Sequence, residues 1–162
     1  MMSVLLTFLG IAGIWVLFNC VAPYAVLVQA ERISVGRLPP ELFLWPGYRR
    51  VRFYLTALQG GYGYSVWAPP LNIVIFDRAF FAGASPALIR YVVAHELAHF
   101  SLGHHRKRWL LVVCGLALLP AIRRLFRRFE AEADAEAARR TGFTRQVFKE
   151  LQQVECSSDG TG

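Results

Sequence analysis

Residues 95–99 read His95-Glu96-Leu97-Ala98-His99, and no other stretch limits the fold as strongly. Imidazoles four positions apart come together only where the backbone is an α-helix, which stacks positions i and i+4 on one face. The flanks agree. Ser85 can cap the free amides of a helix that Pro86 is preorganised to begin. Leu88, Ile89, Val92, Val93, Leu97 and Phe100 recur at helical spacing and supply a buried face, and Gly103 is a natural stop. All four histidines lie between residues 95 and 105. The chain must therefore contain a helix starting near residue 86 that presents His95 and His99 together.

Two imidazoles so placed can share one metal ion, and zinc suits them. Glu96 follows His95 by about 100° around the helix. There it can act on a metal-bound water as general base, taking the water proton and passing it to a leaving amine. A catalytic zinc site has three protein ligands and one open position, so a third ligand is required. Glu130 is one candidate, because Asp134 follows it at i+4 and can steady a ligand imidazole. His105 is the other, at the last position of an HExxHxxGxxH pattern. That pattern fits poorly: Leu102 stands where glycine is needed, and Met1 and Met2 are the only methionines. Glu132 and Glu136 repeat the i, i+4 spacing without an aspartate behind them.

With His95-Glu96-Leu97-Ala98-His99 and Glu130-Ala131-Glu132-Ala133-Asp134 together, the chain resembles the gluzincin metallopeptidases. The likeness is to the membrane-associated family that includes the CAAX prenyl protease and the bacterial heat-shock membrane protease. It covers roughly residues 50–145, with Ala131 in place of the usual aromatic residue. The resemblance implies one Zn2+ ion held by His95, His99 and Glu130, Glu96 as base, and Asp134 behind a ligand. It also implies an edge strand ahead of the motif helix on which an extended substrate lies. Residues 62–67 are the expected strand, which makes Tyr62, Tyr64 and Val66 the expected substrate contacts. Relatives often stabilise the tetrahedral oxyanion with a downstream His or Tyr. None occurs after His105, and Arg139 or Arg140 are the available substitutes.

The rest of the domain reads as α+β. Residues 50–55 alternate, with Val51, Phe53 and Leu55 on one side. Residues 62–67 form a second extended segment, and residues 72–76 a short, β-branched third. A small, mostly antiparallel sheet of about three strands is expected to pack on the active-site helix and on a glutamate-bearing helix over residues 126–140. A short helix follows at 144–154, and residues 155–162 read as a disordered tail.

Two apolar blocks account for the 55% apolar composition and mean hydropathy of +0.37. Residues 1–30 carry no charge and are long enough to span a bilayer. A signal peptide ending near Val28-Gln29-Ala30 is the alternative, without the usual basic start. Because basic residues stay in the cytoplasm, Arg32, Arg37, Arg49, Arg50 and Arg52 place the N-terminus outside. A catalytic domain over 31–154 is then at the cytoplasmic face of the cell membrane. The second block, residues 109–122, has 14 uncharged residues including Gly115 and Pro120, short for a span. A single crossing there would also separate His95 from Glu130, so it is expected to pack in the core or dip into the near leaflet. The net charge of +7 is read as basic flanks contacting lipid headgroups, with no nucleic-acid module. Cys20, Cys114 and Cys156 suit neither a disulfide framework nor a cysteine metal site.

These readings converge on a membrane-anchored zinc endopeptidase acting on protein or peptide substrates. The alternatives are a catalytically silent metal-binding or regulatory membrane protein of the same fold, and a secreted zinc peptidase released by signal cleavage.

Overall fold

The computed structural model describes residues 27–33, 50–57, 62–68, 71–114, 120–144 and 146–150, with single positions 10, 13, 25, 38 and 153. It is an α+β arrangement whose strands are β1 (Glu31–Arg32), β2 (Val51–Thr56), β3 (Gly63–Ala68) and β4 (Leu71–Asp77). Its helices are α1 (Arg78–Gly83), α2 (Pro86–Ser101), α3 (His104–Val113) and α4 (Pro120–Thr141). Residues 146–150 are also helical.

The sheet has four strands in the order β1-β2-β4-β3. β3 and β4 pair antiparallel from Gly63 opposite Phe76 to Ala68 opposite Leu71. β2 and β4 pair parallel, Val51 opposite Asn72 through Thr56 opposite Asp77. The expected three-stranded, mostly antiparallel sheet is thus replaced by a mixed one. The physical reason is the apolar run of β4. Ile73, Val74, Ile75 and Phe76 are all fully buried, so this strand needs cover on both faces and neighbours on both edges. Phe53, Leu55, Val74 and Phe76 face the core that includes Tyr91, Val93, Leu97 and Ala98. Ile73 and Ile75 face the other way, against Leu27, Tyr54, Tyr64, Val66 and Leu71.

α1 is capped by Asp77, whose Oδ1 accepts from the Phe80 amide at 2.8 Å. α2 begins as its sequence dictates: Ser85 Oγ accepts from the Leu88 amide at 3.2 Å and Pro86 occupies the first turn. It ends at Leu102, after which Gly103 adopts φ of 68°, the left-handed conformation that glycine takes without a steric penalty. α3 starts at the next residue. α4 opens with Pro120, six residues ahead of the expected helix start at 126, because proline suits the first helical position and the arginines after it tolerate an exposed helix face. Its buried stripe is Phe129, Ala133 and Ala137. Ala94 and Ala98 on α2 are likewise fully buried in the same cluster. Small side chains on both helices let the backbones approach closely.

Among the described residues no helix is long and apolar enough to cross a membrane. Most of the expected anchor at 1–30, the whole tail at 155–162 and residues 115–119 of the second apolar block lie outside the described residues. What is described of that block ends α3 and begins α4. Side chains of these two helices meet in antiparallel order, His104 with Glu132 and Arg108 with Glu130 and Phe126.

Candidate metal centre

His95 and His99 project from the C-terminal half of α2 toward α4, which brings up Glu130. Nε2 of His95 lies 3.2 Å from Nε2 of His99, and Oε2 of Glu130 lies 3.4 and 3.5 Å from them. Among the described residues these three form the cluster able to hold a metal ion. The spacing can be tested against coordination geometry. Bonds of about 2.0–2.1 Å at tetrahedral angles set ligand atoms about 3.3–3.4 Å apart. The observed distances match that edge to within about 0.2 Å.

Each ligand has its own support. Asp134 Oδ1 lies 2.9 Å from Nδ1 of His95 and accepts from the Tyr91 hydroxyl at 3.1 Å. Asp134 thus directs Nε2 of His95 inward, as a carboxylate behind a ligand does. Glu130 turns its other oxygen, Oε1, to the Arg108 guanidinium. Behind His99, Nδ1 lies 3.1 Å from Nδ1 of His104, whose Nε2 lies 3.2 Å from Glu132 Oε2. Glu132 in turn accepts from Arg128 at 2.7 Å.

The electrostatics follow from this geometry. Burial alone would lower His95, but hydrogen bonds to Asp134 and Glu130 and the nearby Glu96 charge outweigh it and hold the ring up at about 9. The adjoining His95 and His99 rings push Glu130 well below the usual carboxylate range against the cost of burial, with help from Arg108. Burial lowers His104 despite its bond to Glu132, and it lowers His105 to about 3, reinforced by its neighbours His99, Arg108 and His104.

A cavity of about 310 Å³ opens on this centre, lined by Tyr62, Gly63, Tyr91, Val92, His95, Glu96, Glu130, Asp134 and Phe148. Glu96 is 7% exposed and contributes to the wall beside His95. β3 lies at the sheet edge among the described residues, and Gly63 at its start, with Tyr62 before it, borders the cavity. Gly63 is required there: an added Cβ would stand 2.8 Å from a Phe76 ring carbon and 3.1 Å from the Ile75 carbonyl.

The structure thus brings together His95, His99, Glu130, Asp134, Glu96 and Tyr62. It does not bring in the others. Tyr64 and Val66 belong to the opposite face of the sheet with Ile73 and Ile75, so the β3 side chains toward the helices are those of Ser65 and Trp67. Ser65 Oγ lies 2.9 Å from Nε2 of His105, which stands outside the ligand cluster, and Trp67 meets Trp109 edge to face. Arg139 and Arg140 both bind Glu136, which they hold at about 2, and do not reach the cavity. Glu132 faces His104 rather than the ligands. Three participants had not been singled out from sequence. Tyr91, at i−4 from His95, was discoverable from the helical face it shares. Arg108 and His104 were not, because one sat in a run read as a lipid-facing flank and the other showed no pattern of its own.

No protein-family model and no curated protein matches the chain, so its chemistry has to be read from these residues.

Proposed function

We propose that this chain is a zinc-dependent endopeptidase of the gluzincin kind, anchored in the cell membrane by residues 1–30 with its catalytic domain at the cytoplasmic face. The supporting observation is the tetrahedral spacing of His95 Nε2, His99 Nε2 and Glu130 Oε2 beside a cavity that Glu96 lines. Two imidazoles and one carboxylate form the ligand set of hydrolytic zinc sites with an open position. A zinc ion held by His95, His99 and Glu130 would supply Lewis acidity for hydrolysis.

The chain's own residues do the rest. Glu96 takes a proton from the attacking water and delivers it to the amine nitrogen as the peptide bond breaks. Asp134 keeps the His95 ring oriented. The edge of β3 offers backbone donors and acceptors to an extended peptide, which lies across the cavity mouth at Tyr62 and Gly63. The uncharged block at 1–30 and the arginines that follow it support the anchor and its orientation.

The test compares zinc content and hydrolysis of a quenched fluorescent peptide in the full chain and in Glu96→Gln. The wild type is expected to hold one zinc per chain and to cleave. Glu96→Gln is expected to keep the zinc and lose at least about 100-fold in rate, the low end of what general-base catalysis contributes. Hydrolysis that survives in Glu96→Gln would remove the mechanism. Zinc binding without hydrolysis in the wild type would favour a metal-binding protein of the same fold.

A further inference from the structure

His104 is the first residue of α3, and the left-handed turn at Gly103 folds it back beneath α2. Its side chain is 0% exposed. An imidazole buried so completely is tolerated only when both ring nitrogens have partners, and here the partners are specific. Nδ1 meets Nδ1 of His99 and Nε2 meets the carboxylate of Glu132. The ring also stacks on Phe129, with centroids 4.5 Å apart and planes 14° from parallel.

Hydrogen-bond counting fixes where the protons lie. Glu132 is a carboxylate and only accepts, so His104 Nε2 must carry the hydrogen it donates there. A neutral His104 then has a bare lone pair on Nδ1, and His99 must donate to it from its own Nδ1–H. That leaves Nε2 of His99 as the free lone pair, the atom that faces His95 Nε2 and Glu130. The opposite assignment would set the lone pair of His104 Nε2 against a carboxylate.

We infer that His104 and Glu132 are positioning residues that hold the second metal ligand, His99, in the tautomer and ring orientation needed for coordination through Nε2. The inference rests on the metal-site reading above and extends it. The two histidine ligands are then supported differently, His95 by the carboxylate of Asp134 and His99 by an imidazole backed by a carboxylate.

The test is Zn2+ affinity of the full chain by competition with a fluorescent chelator, with folding of each metal-free variant checked by circular dichroism. His104→Phe keeps the stacking on Phe129 and removes both nitrogens. His104→Gln places an amide near the Nε2 position only. His104→Asn places its amide oxygen near the Nδ1 position, where it can accept from His99. Loss of an outer-shell partner costs about 10- to 100-fold in metal affinity, and that loss is expected in Phe and Gln, with Asn restoring affinity to within about threefold of wild type. A residue that only fills space gives the reverse order, Phe best and Asn worst, and that result overturns the inference.

Glu132 has a 37% exposed side chain, so Glu132→Ala probes the same chain of bonds without disturbing the core. It is expected to weaken zinc binding by about tenfold, the low end of outer-shell losses, and unchanged affinity refutes the inference. Nitrogen-15 imidazole spectra of the zinc-loaded wild type give a direct reading, with metal on Nε2 and hydrogen on Nδ1 of His99 expected, and metal on Nδ1 fatal. If wild type binds no zinc, the metal-site reading fails and takes this inference with it. If wild type binds zinc and the variants bind it equally well, only the inference fails.

Discussion

Asp134→Asn preserves the shape of the side chain and one acceptor oxygen while removing the charge that His95 Nδ1 meets at 2.9 Å. A hydrogen bond to a charged acceptor contributes about 1.5–3 kcal/mol, and one between neutral groups about 0.5–1.5 kcal/mol. The difference, about 1–1.5 kcal/mol, corresponds to about a tenfold loss of zinc affinity. The same carboxylate also supports a competitor. In the metal-free protein Asp134 and Glu130 overcome the effect of burial and keep a proton on His95 up to about pH 9. Proton and metal compete for Nε2, and the Asp134 charge favours both. Near neutral pH the substitution therefore weakens competitor and metal together, and much of the loss is masked. Above pH 9 the proton is gone and the full loss appears. Chelator competition on folded wild type and Asp134→Asn should give an affinity ratio that grows with pH toward about tenfold. A ratio that is flat with pH, or near one above pH 9, refutes the role given to Asp134. Thermal unfolding of the metal-free proteins checks the sign independently. A folded-state value raised from 6.5 to about 9 contributes stability that is present below 6.5 and lost as pH rises through about 9. Asp134→Asn should flatten that decline.

Two further predictions concern the frame of the site. Gly63→Ala forces a Cβ against the fully buried Phe76 and the Ile75 carbonyl, an overpacking cost of about 1–3 kcal/mol that urea unfolding should register. An unchanged midpoint would show that β3 is not held against β4 as described. His105 is held at about 3 against an ordinary 6.5, so the unfolded chain binds more protons between those values. Its contribution to stability is complete above 6.5 and lost as pH falls toward 3. His105→Gln, which can still bond Ser65, should make the acid side of the stability curve less steep, and an identical slope would contradict the burial of the ring.

The helix carrying the ligands was legible because every local signal points the same way: Ser85 and Pro86 begin it, Gly103 ends it, and its apolar spacing matches the buried face. Glu130 and Asp134 were legible for the same reason, since one helical turn fixes their relation before any packing is known. The sheet was less so. β1 has two residues and no pattern of its own, and the parallel pairing of β2 with β4 joins strands that are not consecutive. Alternation identifies a strand but does not say which face meets the helices when both are buried, and for this reason the spacing points to Tyr64 and Val66 where the structure turns Ser65 and Trp67 toward the helices. His104 gains its meaning from Glu132, 28 positions away, across an interface that no local spacing encodes.

Arg108 shows how that interface shapes the candidate metal site. A carboxylate can bind metal through one oxygen or through both, and a four-coordinate site with two histidines and an open position needs only one. Glu130 turns Oε2 toward His95 and His99 and gives Oε1 to Arg108. The guanidinium occupies the oxygen that would otherwise be available for a second bond. It also opposes rotation of the carboxylate, because turning Glu130 would break an ion pair with an arginine whose side chain is 34% exposed. The cavity side of the centre, where Glu96 and Tyr62 lie, is thus left open. A basic residue that composition alone assigns to a lipid-facing flank is, by its place beside Phe126 and Glu130, part of what leaves Glu130 a single oxygen facing the two imidazoles.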